Sequence, residues 1–511
     1  VDLSLQLHVT ALENVEKTAY IFQDQPVTYG QLDAQITRFA NGLKSLGVEK
    51  GDHVALLLAN SPHFIIGLYG ALRIGARVIP INPIYTPDEI GYILHNGDVK
   101  VVIALDKLLP FFDQLTAKVP NVQHVILCGS SSESEIEETH EKMKSFTSVM
   151  HRGTDQYDFP EISEQEVAII LYTSGTTGKP KGAMLTHHNL YRNAKDVADF
   201  LHINHTDRVV ATLPMFHVFG LTVSLNAPLM NGGIVLVVPK FSPAEVFRLI
   251  KEYEATIFVG VPTMYNFLLN IPNVSAEQTK SLRLCISGGS AMPVALLQSF
   301  EQKFQVVVSE GYGLSEASPV TCFNPLDRPR KAGSIGTSIA NVQNKVVNEF
   351  GEEVAAGEVG ELIVRGPNVM KGYYNMPEET AHAIRDGWLY TGDLAKMDDE
   401  GYFYIVDRKK DLIIVGGFNV YPREVEEVLY RYPDVSEVAV LGIPHPDQGE
   451  AVKCFVVVKN QETTKEELIR YCSEHLAKYK VPYDIEFLDE LPKNTTGKIL
   501  RRSLKQQLLN K

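Results

Sequence analysis

Residues 172–182 read Tyr172-Thr-Ser-Gly-Thr-Thr-Gly-Lys-Pro-Lys-Gly182. They follow directly on the apolar run 167–171, Val-Ala-Ile-Ile-Leu. A short apolar run of this kind reads as a buried strand, and the Gly, Ser and Thr residues mark a loop at its end. The loop gathers Thr173, Ser174, Thr176 and Thr177 beside Gly175, Gly178 and Gly182, with Lys179 and Lys181. Glycines let backbone N–H groups approach an anion closely. Hydroxyls add donors and the lysines add positive charge, which together suit a polyphosphate. The same composition also suits a flexible polar hairpin. No G-x-x-x-x-G-K-S/T pattern can be read here, so the loop is not a P-loop of the Walker type.

Similar β-rich runs recur on both sides of this loop: Val101–Leu105, then 125–128, 209–213, 234–238, 256–261, 282–287 and 306–309. Between several of them lie helical patterns. Residues 244–253 place Val246, Leu249 and Ile250 at helical spacing, and Val294–Phe304 does the same with Leu297, Phe300 and Phe304. Strands alternating with helices predict βαβ units and largely parallel sheets. A single core rarely grows beyond roughly 250–300 residues, and this chain has 511, so more than one domain is expected. Residues 129–145, polar and acidic, read as an exposed connector. The texture changes at Asp407-Arg408-Lys409-Lys410-Asp411, a charge cluster after a hairpin-like stretch at 401–406. The predicted division is a large domain over residues 1–408 and a small one over 409–511, with its own strand and helix pattern at 423–431, 438–441, 453–458 and 465–478.

The net charge of −14 argues against a duplex nucleic-acid binder, whose affinity rests on Lys and Arg. Apolar residues at 44% and charged residues at 22% exclude a disordered chain. The five cysteines, Cys128, Cys285, Cys322, Cys454 and Cys472, stand too far apart for a zinc ribbon or a CxxC redox motif and read as buried or idle thiols of a reducing cytoplasm. No secretory signal is expected from the N-terminal residues. The longest apolar stretches, 64–81 and 221–239, are broken by Arg73, Arg77, Asn226 and Asn231, so no bilayer span is predicted. Peripheral membrane contact and homodimerisation stay open.

Further motifs follow the loop in order: Leu213-Pro-Met-Phe-His-Val-Phe-Gly-Leu221, Ser287-Gly-Gly-Ser-Ala-Met-Pro293, Glu310-Gly-Tyr-Gly-Leu-Ser-Glu-Ala317, Tyr390-Thr-Gly-Asp393, Asp407-Arg408, Gly416-Gly-Phe-Asn-Val-Tyr-Pro422 and Pro492-Lys-Asn-Thr-Thr-Gly-Lys498. With residues 172–182, this series resembles the adenylate-forming superfamily of acyl-CoA synthetases, coumarate-CoA ligases, firefly luciferase and peptide-synthetase adenylation domains. The resemblance covers nearly the whole chain, least firmly before residue 165. It implies an α/β fold: a large N-terminal domain of parallel-type sheets flanked by helices, and a small α+β C-terminal lid.

Taken physically, Gly311-Tyr-Gly313 fails as a dinucleotide fingerprint, because Glu316 stands where the third glycine belongs. An aromatic between glycines could stack on a flat ring, and Glu316 is a hard carboxylate suited to Mg²⁺. By resemblance, Tyr312 faces adenine with Gly288, Gly289, Gly311 and Gly313 around it. Thr173, Ser315 and Glu316 face phosphate and Mg²⁺ together with residues 174–179 and Lys181. His217, alone, would be an ordinary core histidine. The resemblance puts it beside the acyl carboxylate. Asp393 and Arg408 otherwise read as a turn acid and a surface cation; the resemblance assigns both to the ribose. Lys498 otherwise reads as a turn lysine. The resemblance makes it the mobile cation that bridges the attacking carboxylate and the α-phosphate. Lys410 falls on the family's hinge position. Gly416 and Gly417 would reach the pantetheine path after the lid rotates.

The implied reaction joins a carboxylic acid to ATP as acyl-AMP and then passes the acyl group to coenzyme A, with Mg²⁺ as cofactor. The proposed pocket residues Phe216, His217, Val218, Val261, Gly313, Pro319 and Val320 are largely apolar, which suits an acyl chain or plain core packing. Peptide-synthetase domains carry an Asp near the His217 motif; residues 213–230 contain no acid, which points away from an amino-acid substrate. The motifs look most like those of bacterial medium- and long-chain fatty acyl-CoA synthetases. The competing readings are an aryl-CoA ligase, an acyl-AMP ligase that loads a carrier protein, and a non-catalytic nucleotide-binding protein.

Overall fold

Strand Val167–Thr173 carries the loop, and its first five residues are buried. In the computed structural model, which describes residues 2–115, 119–129, 141–173, 179–494 and 497–510, this strand lies inside an eight-stranded sheet. It pairs parallel with Arg77–Pro80 on one side and antiparallel with Lys181–Thr186 on the other. The loop is therefore a hairpin connection, with Thr173 opposite Lys181, and not a strand-to-helix turn. Beyond Arg77–Pro80 the sheet runs parallel through His53–Leu57, Val101–Leu105 and His124–Cys128. The stretch read as an exposed connector ends in a further strand, Met143–Ser145, whose Met143 is buried. Met143 packs into the apolar cluster on this side of the sheet; residues 130–140 lie outside the described residues.

A nine-stranded sheet stands beside it. Thr18–Phe22, Ile234–Val237, Arg208–Ala211, Ile257–Gly260, Leu284–Ser287 and Val308–Gly313 run parallel, as the βαβ pattern predicts. Helices between strands join both sheets in one apolar cluster: Tyr29–Ser45 and His187–Leu201 turn a buried face to it, and Pro62–Arg73 is buried on all sides from Phe64 to Arg73. Helix Val294–Phe304 coincides with the predicted segment and buries Leu297, Phe300 and Phe304. The third sheet was not foreseen as distinct: it is antiparallel, built from Gln343–Val347, Gly360–Arg365, Ile384–Arg385, Trp388–Met397 and Phe403–Arg408.

After Arg408 the chain turns and enters a fourth sheet at Ile413–Val415. This smaller C-terminal unit combines the long hairpin Val435–His445 and Gly449–Val458 with helices Pro422–Tyr430, Lys465–His475 and Arg501–Leu509. It has its own apolar core around Val425, Val440 and Leu468. The helix predicted over 465–478 stops at His475, where Leu476 takes an extended backbone. All five cysteines are buried and free. Among the described residues no helix is long and apolar enough to cross a membrane.

Candidate active site

A cleft of 2280 Å³ opens between the large body and the C-terminal unit. Of the residues singled out in the sequence, Thr173, Lys179, Lys181, His217, Tyr312, Ser315, Glu316, Asp393, Arg408, Lys410 and Lys498 all line it, as do the apolar candidates Phe216, Val218, Val261, Pro319 and Val320. Gly288, Gly289, Gly311 and Gly313 line it too. Ser174, Gly175, Thr176, Thr177 and Gly178 lie outside the described residues.

The body supplies the floor. Lys181 stands over the Tyr373 ring, 4.9 Å from its centre, and Lys179 over Tyr92 at 5.0 Å. The Tyr373 hydroxyl donates to Glu316 Oε1 at 3.2 Å. Burial pushes the Glu316 carboxyl above its ordinary value, against the pull of that bond and of Lys181. A carboxylate so placed favours a nearby cation. Strand Val308–Gly313 delivers Tyr312 to the cleft with a glycine on each side. A Cβ on Gly311 would fall 2.1 Å from the Phe323 ring, and one on Gly313 2.3 Å from the Pro319 carbonyl oxygen. These two glycines are thus required by the fold itself, whatever the cleft holds.

The ribose candidates meet through sheet register. Asp393 and Arg408 are cross-strand partners in the third sheet, with Arg408 Nε 3.8 Å from Asp393 Oδ1. The Tyr312 hydroxyl donates to Asp393 Oδ2 from the neighbouring strand system. That bond holds the tyrosine by its edge and leaves its ring faces for stacking.

The C-terminal unit supplies the roof. Lys498 follows a tight turn in which Lys498 N–H donates to Asn494 Oδ1 at 2.9 Å and Asn494 N–H donates to Lys498 O at 2.8 Å. Burial, then the Arg408 guanidinium, lower the Lys498 ammonium to about 8. His217 is exposed to the open cleft, which it lines. Desolvation by the cleft walls, then the Lys498 charge, lower its imidazole to about 4, so it is neutral near pH 7. The Phe219 N–H donates to His217 Nδ1 in a long bond of 3.4 Å, which assigns the remaining proton to Nε2.

Gly416 and Gly417 form an exposed turn away from the cleft, with φ of +55° and +85°. The turn between Ile413–Val415 and Phe418–Val420 asks for glycine on backbone grounds alone. Lys410 is exposed in the turn that joins the third and fourth sheets. Other groups escaped sequence reasoning. Glu310, 3% exposed, accepts from Met292 N–H at 3.2 Å, and burial raises its carboxyl to about 8. Glu427 of the lid accepts from Val294 N–H at 3.2 Å, completing the start of a body helix that has no side-chain cap. Arg501 pairs with Glu426 and approaches Asp407 at 3.9 Å. No local pattern marks these partners, because each bond joins distant segments.

A lidded α/β cleft that brings an aromatic platform, a paired Asp and Arg and a lid-borne lysine together defines a two-domain adenylate-forming enzyme. The chain belongs to the AMP-binding enzyme family: the model of that family matches residues 7–374, and the model of the AMP-binding enzyme C-terminal domain matches residues 424–498. It is 40% identical to a long-chain-fatty-acid–CoA ligase of Bacillus subtilis over 96% of this chain and 92% of the other. Among solved structures it resembles ATP-bound MatB from Rhodopseudomonas palustris, with a TM-score of 0.91 at 33% identity over 99% of both chains. Apo MatB from the same organism gives 0.81 at 33% identity, over 100% of this chain and 99% of that one.

Proposed function

We propose that this chain is an AMP-forming acid–CoA ligase that activates a medium- or long-chain fatty acid. One observation carries the reading: the Lys498 ammonium shares a cleft with His217, Asp393 and Arg408, although the lysine comes from the lid and the others from the body. In the first step a carboxylate oxygen attacks the α-phosphorus of ATP and pyrophosphate leaves. Two anions must meet, and the Lys498 cation offsets their repulsion and the charge that builds in the transition state. His217 Nε2–H can donate to the acid, Tyr312 can stack on adenine, and Asp393 can accept from the ribose hydroxyls. Lys179 and Lys181 would bind the outer phosphates, with Thr173, Ser315 and residues 174–178 as hydroxyl and backbone donors.

Magnesium fits this arrangement. Among the described residues no group of three or more His, Cys, Asp or Glu could hold a metal ion. Mg²⁺ commonly takes one carboxylate and otherwise water and phosphate oxygens. Glu316 offers that carboxylate, and Tyr373 orients it. The ion, when bound, would neutralise phosphate charge.

In the second step the coenzyme A thiol gives up its proton and attacks the acyl carbon. The C–S bond forms, the bond from the acyl carbon to the phosphate oxygen breaks, and AMP leaves. The lid of residues 409–511 would rotate about Lys410 between the steps and bring Gly416 and Gly417 to the thiol's path. The present lid orientation suits the first step. A better fit to ATP-bound than to apo MatB supports that reading. The apolar wall of Phe216, Val218, Val261, Pro319 and Val320 suits a hydrocarbon chain, at roughly 0.8 kcal/mol per buried methylene. The name of the Bacillus relative favours the fatty acid over an aryl acid. The enzyme would act in the cytoplasm.

The test is ATP-dependent thioester formation with acids from acetate to stearate and with cinnamates. Palmitate-range acids should give acyl-CoA, AMP and pyrophosphate. A preference for cinnamates would establish the aryl reading instead, and acyl-AMP formed without transfer to free coenzyme A would establish the carrier-loading one.

A further inference from the structure

Among the described residues, the Lys498 turn meets the body through a hydrogen bond whose chemistry is simple to alter. Thr263 Oγ1, at the start of body helix Pro262–Leu269, donates to the Gly497 carbonyl at 2.7 Å. Gly497 is the residue immediately before Lys498, and its φ of +81° turns the chain back at this point. The fit around it is close. A Cβ on Gly497 would stand 3.2 Å from Val261 Cγ2 and 3.4 Å from Thr263 Cβ. Among the described residues, other contacts between lid and body lie elsewhere: Glu427 accepts from Val294 N–H, Asp407 Oδ2 accepts from Arg423 N–H at 3.0 Å, Arg501 stands 3.9 Å from Asp407, and Lys409 N–H donates to the Gly392 carbonyl at 3.0 Å beside the joining turn. These fix the lid as a whole, whereas the Thr263 bond acts on the residue next to the working cation.

We propose that Thr263 is a positioning residue: its hydroxyl registers the Lys498 turn on the body for acyl-AMP formation and releases it for the thioester step. The inference rests on the two-step reading given above. The bond joins body to lid, so rotation of the lid about Lys410 must break it. It therefore stabilises one orientation only, and its loss acts on one half-reaction only. A side chain that merely packed against the acyl chain would behave otherwise. Thr263 and Val261 both line the cleft, so that alternative has to be separated by experiment.

Valine keeps the shape of threonine and removes the donor; serine keeps the donor and removes a methyl. Thr263→Val should slow single-turnover acyl-AMP formation by about three- to tenfold, the usual effect of one neutral hydrogen bond. Thioester formation from supplied acyl-AMP should hold or rise. Thr263→Ser should retain the parental rate of the first step. The inference is overturned if Val matches the parent in acyl-AMP formation, if both steps fall together, or if Ser is the impaired variant and the KM for the acid moves, which would mark a pocket wall. Failure of the underlying reading looks different: the parental enzyme would then release no pyrophosphate with any acid.

Discussion

Two turns of this molecule bring lysines to the same cleft by opposite means. Lys179 and Lys181 sit on the body hairpin, with both flanking strands fixed inside an eight-stranded sheet. Each lysine stands over an aromatic ring of the body. Lys498 sits on a lid turn closed by the bridge between Lys493 and Ile499, and it meets the body through the neighbouring Gly497 carbonyl. The fixed lysines meet whatever anion enters from the body side of the cleft. The delivered lysine is enclosed, and enclosure weakens its hold on its proton. A fixed cation can serve both half-reactions; a delivered one can serve a single step and withdraw.

Removing the delivered cation gives the hardest test of that contrast. Lys498→Ala should lower acyl-AMP formation by about 10²–10³-fold, the scale of losing one transition-state donor, and largely spare thioester formation from supplied acyl-AMP. Equal loss in both steps would make Lys498 no different from the body lysines. Enclosure also predicts a pH dependence. With an ammonium lowered to about 8, kcat/KM for acyl-AMP formation should fall as pH rises through that value, because the cation is the active form and is lost above it. The thioester step should lack that limb, and a first step still level well above that pH would contradict the enclosed state.

Glu316→Ala tests the body side. It should raise the magnesium concentration for half-maximal rate by roughly tenfold, the effect of losing a charged partner, and unchanged kinetics would remove Glu316 from the metal site. The smallest difference is expected at the joining turn. Lys410→Pro fixes φ there and should slow the thioester step several-fold more than acyl-AMP formation. If both steps slow alike, the lid does not pivot at this residue.

Much of this was readable in the chain. Helix Val294–Phe304 and strand Val101–Leu105 stand where apolar spacing puts them, since burial of one face is a local property of the sequence. The ordered motifs carried the family, and their residues line one cleft. The meaning of individual glycines was less legible. Gly311 and Gly313 answer to the Phe323 ring and the Pro319 carbonyl, and Gly416 and Gly417 to a turn, so ligand space was not needed to explain them. Glu310, beside a motif glycine, gave no sign that its carboxyl is buried and raised to about 8.

The sequence by itself determined the elements, the αβ alternation and the inventory of reactive groups, because periodicity, glycine freedom and side-chain chemistry act over a few residues. Only the tertiary structure decided who meets whom. Asp393 faces Arg408 through antiparallel register, Tyr312 is held by Asp393 across sheets, and Thr263 holds the turn of Lys498 across the cleft. Such contacts depend on how sheets, helices and lid pack together. That packing is a sum over the whole chain, and no short stretch of it contains the result.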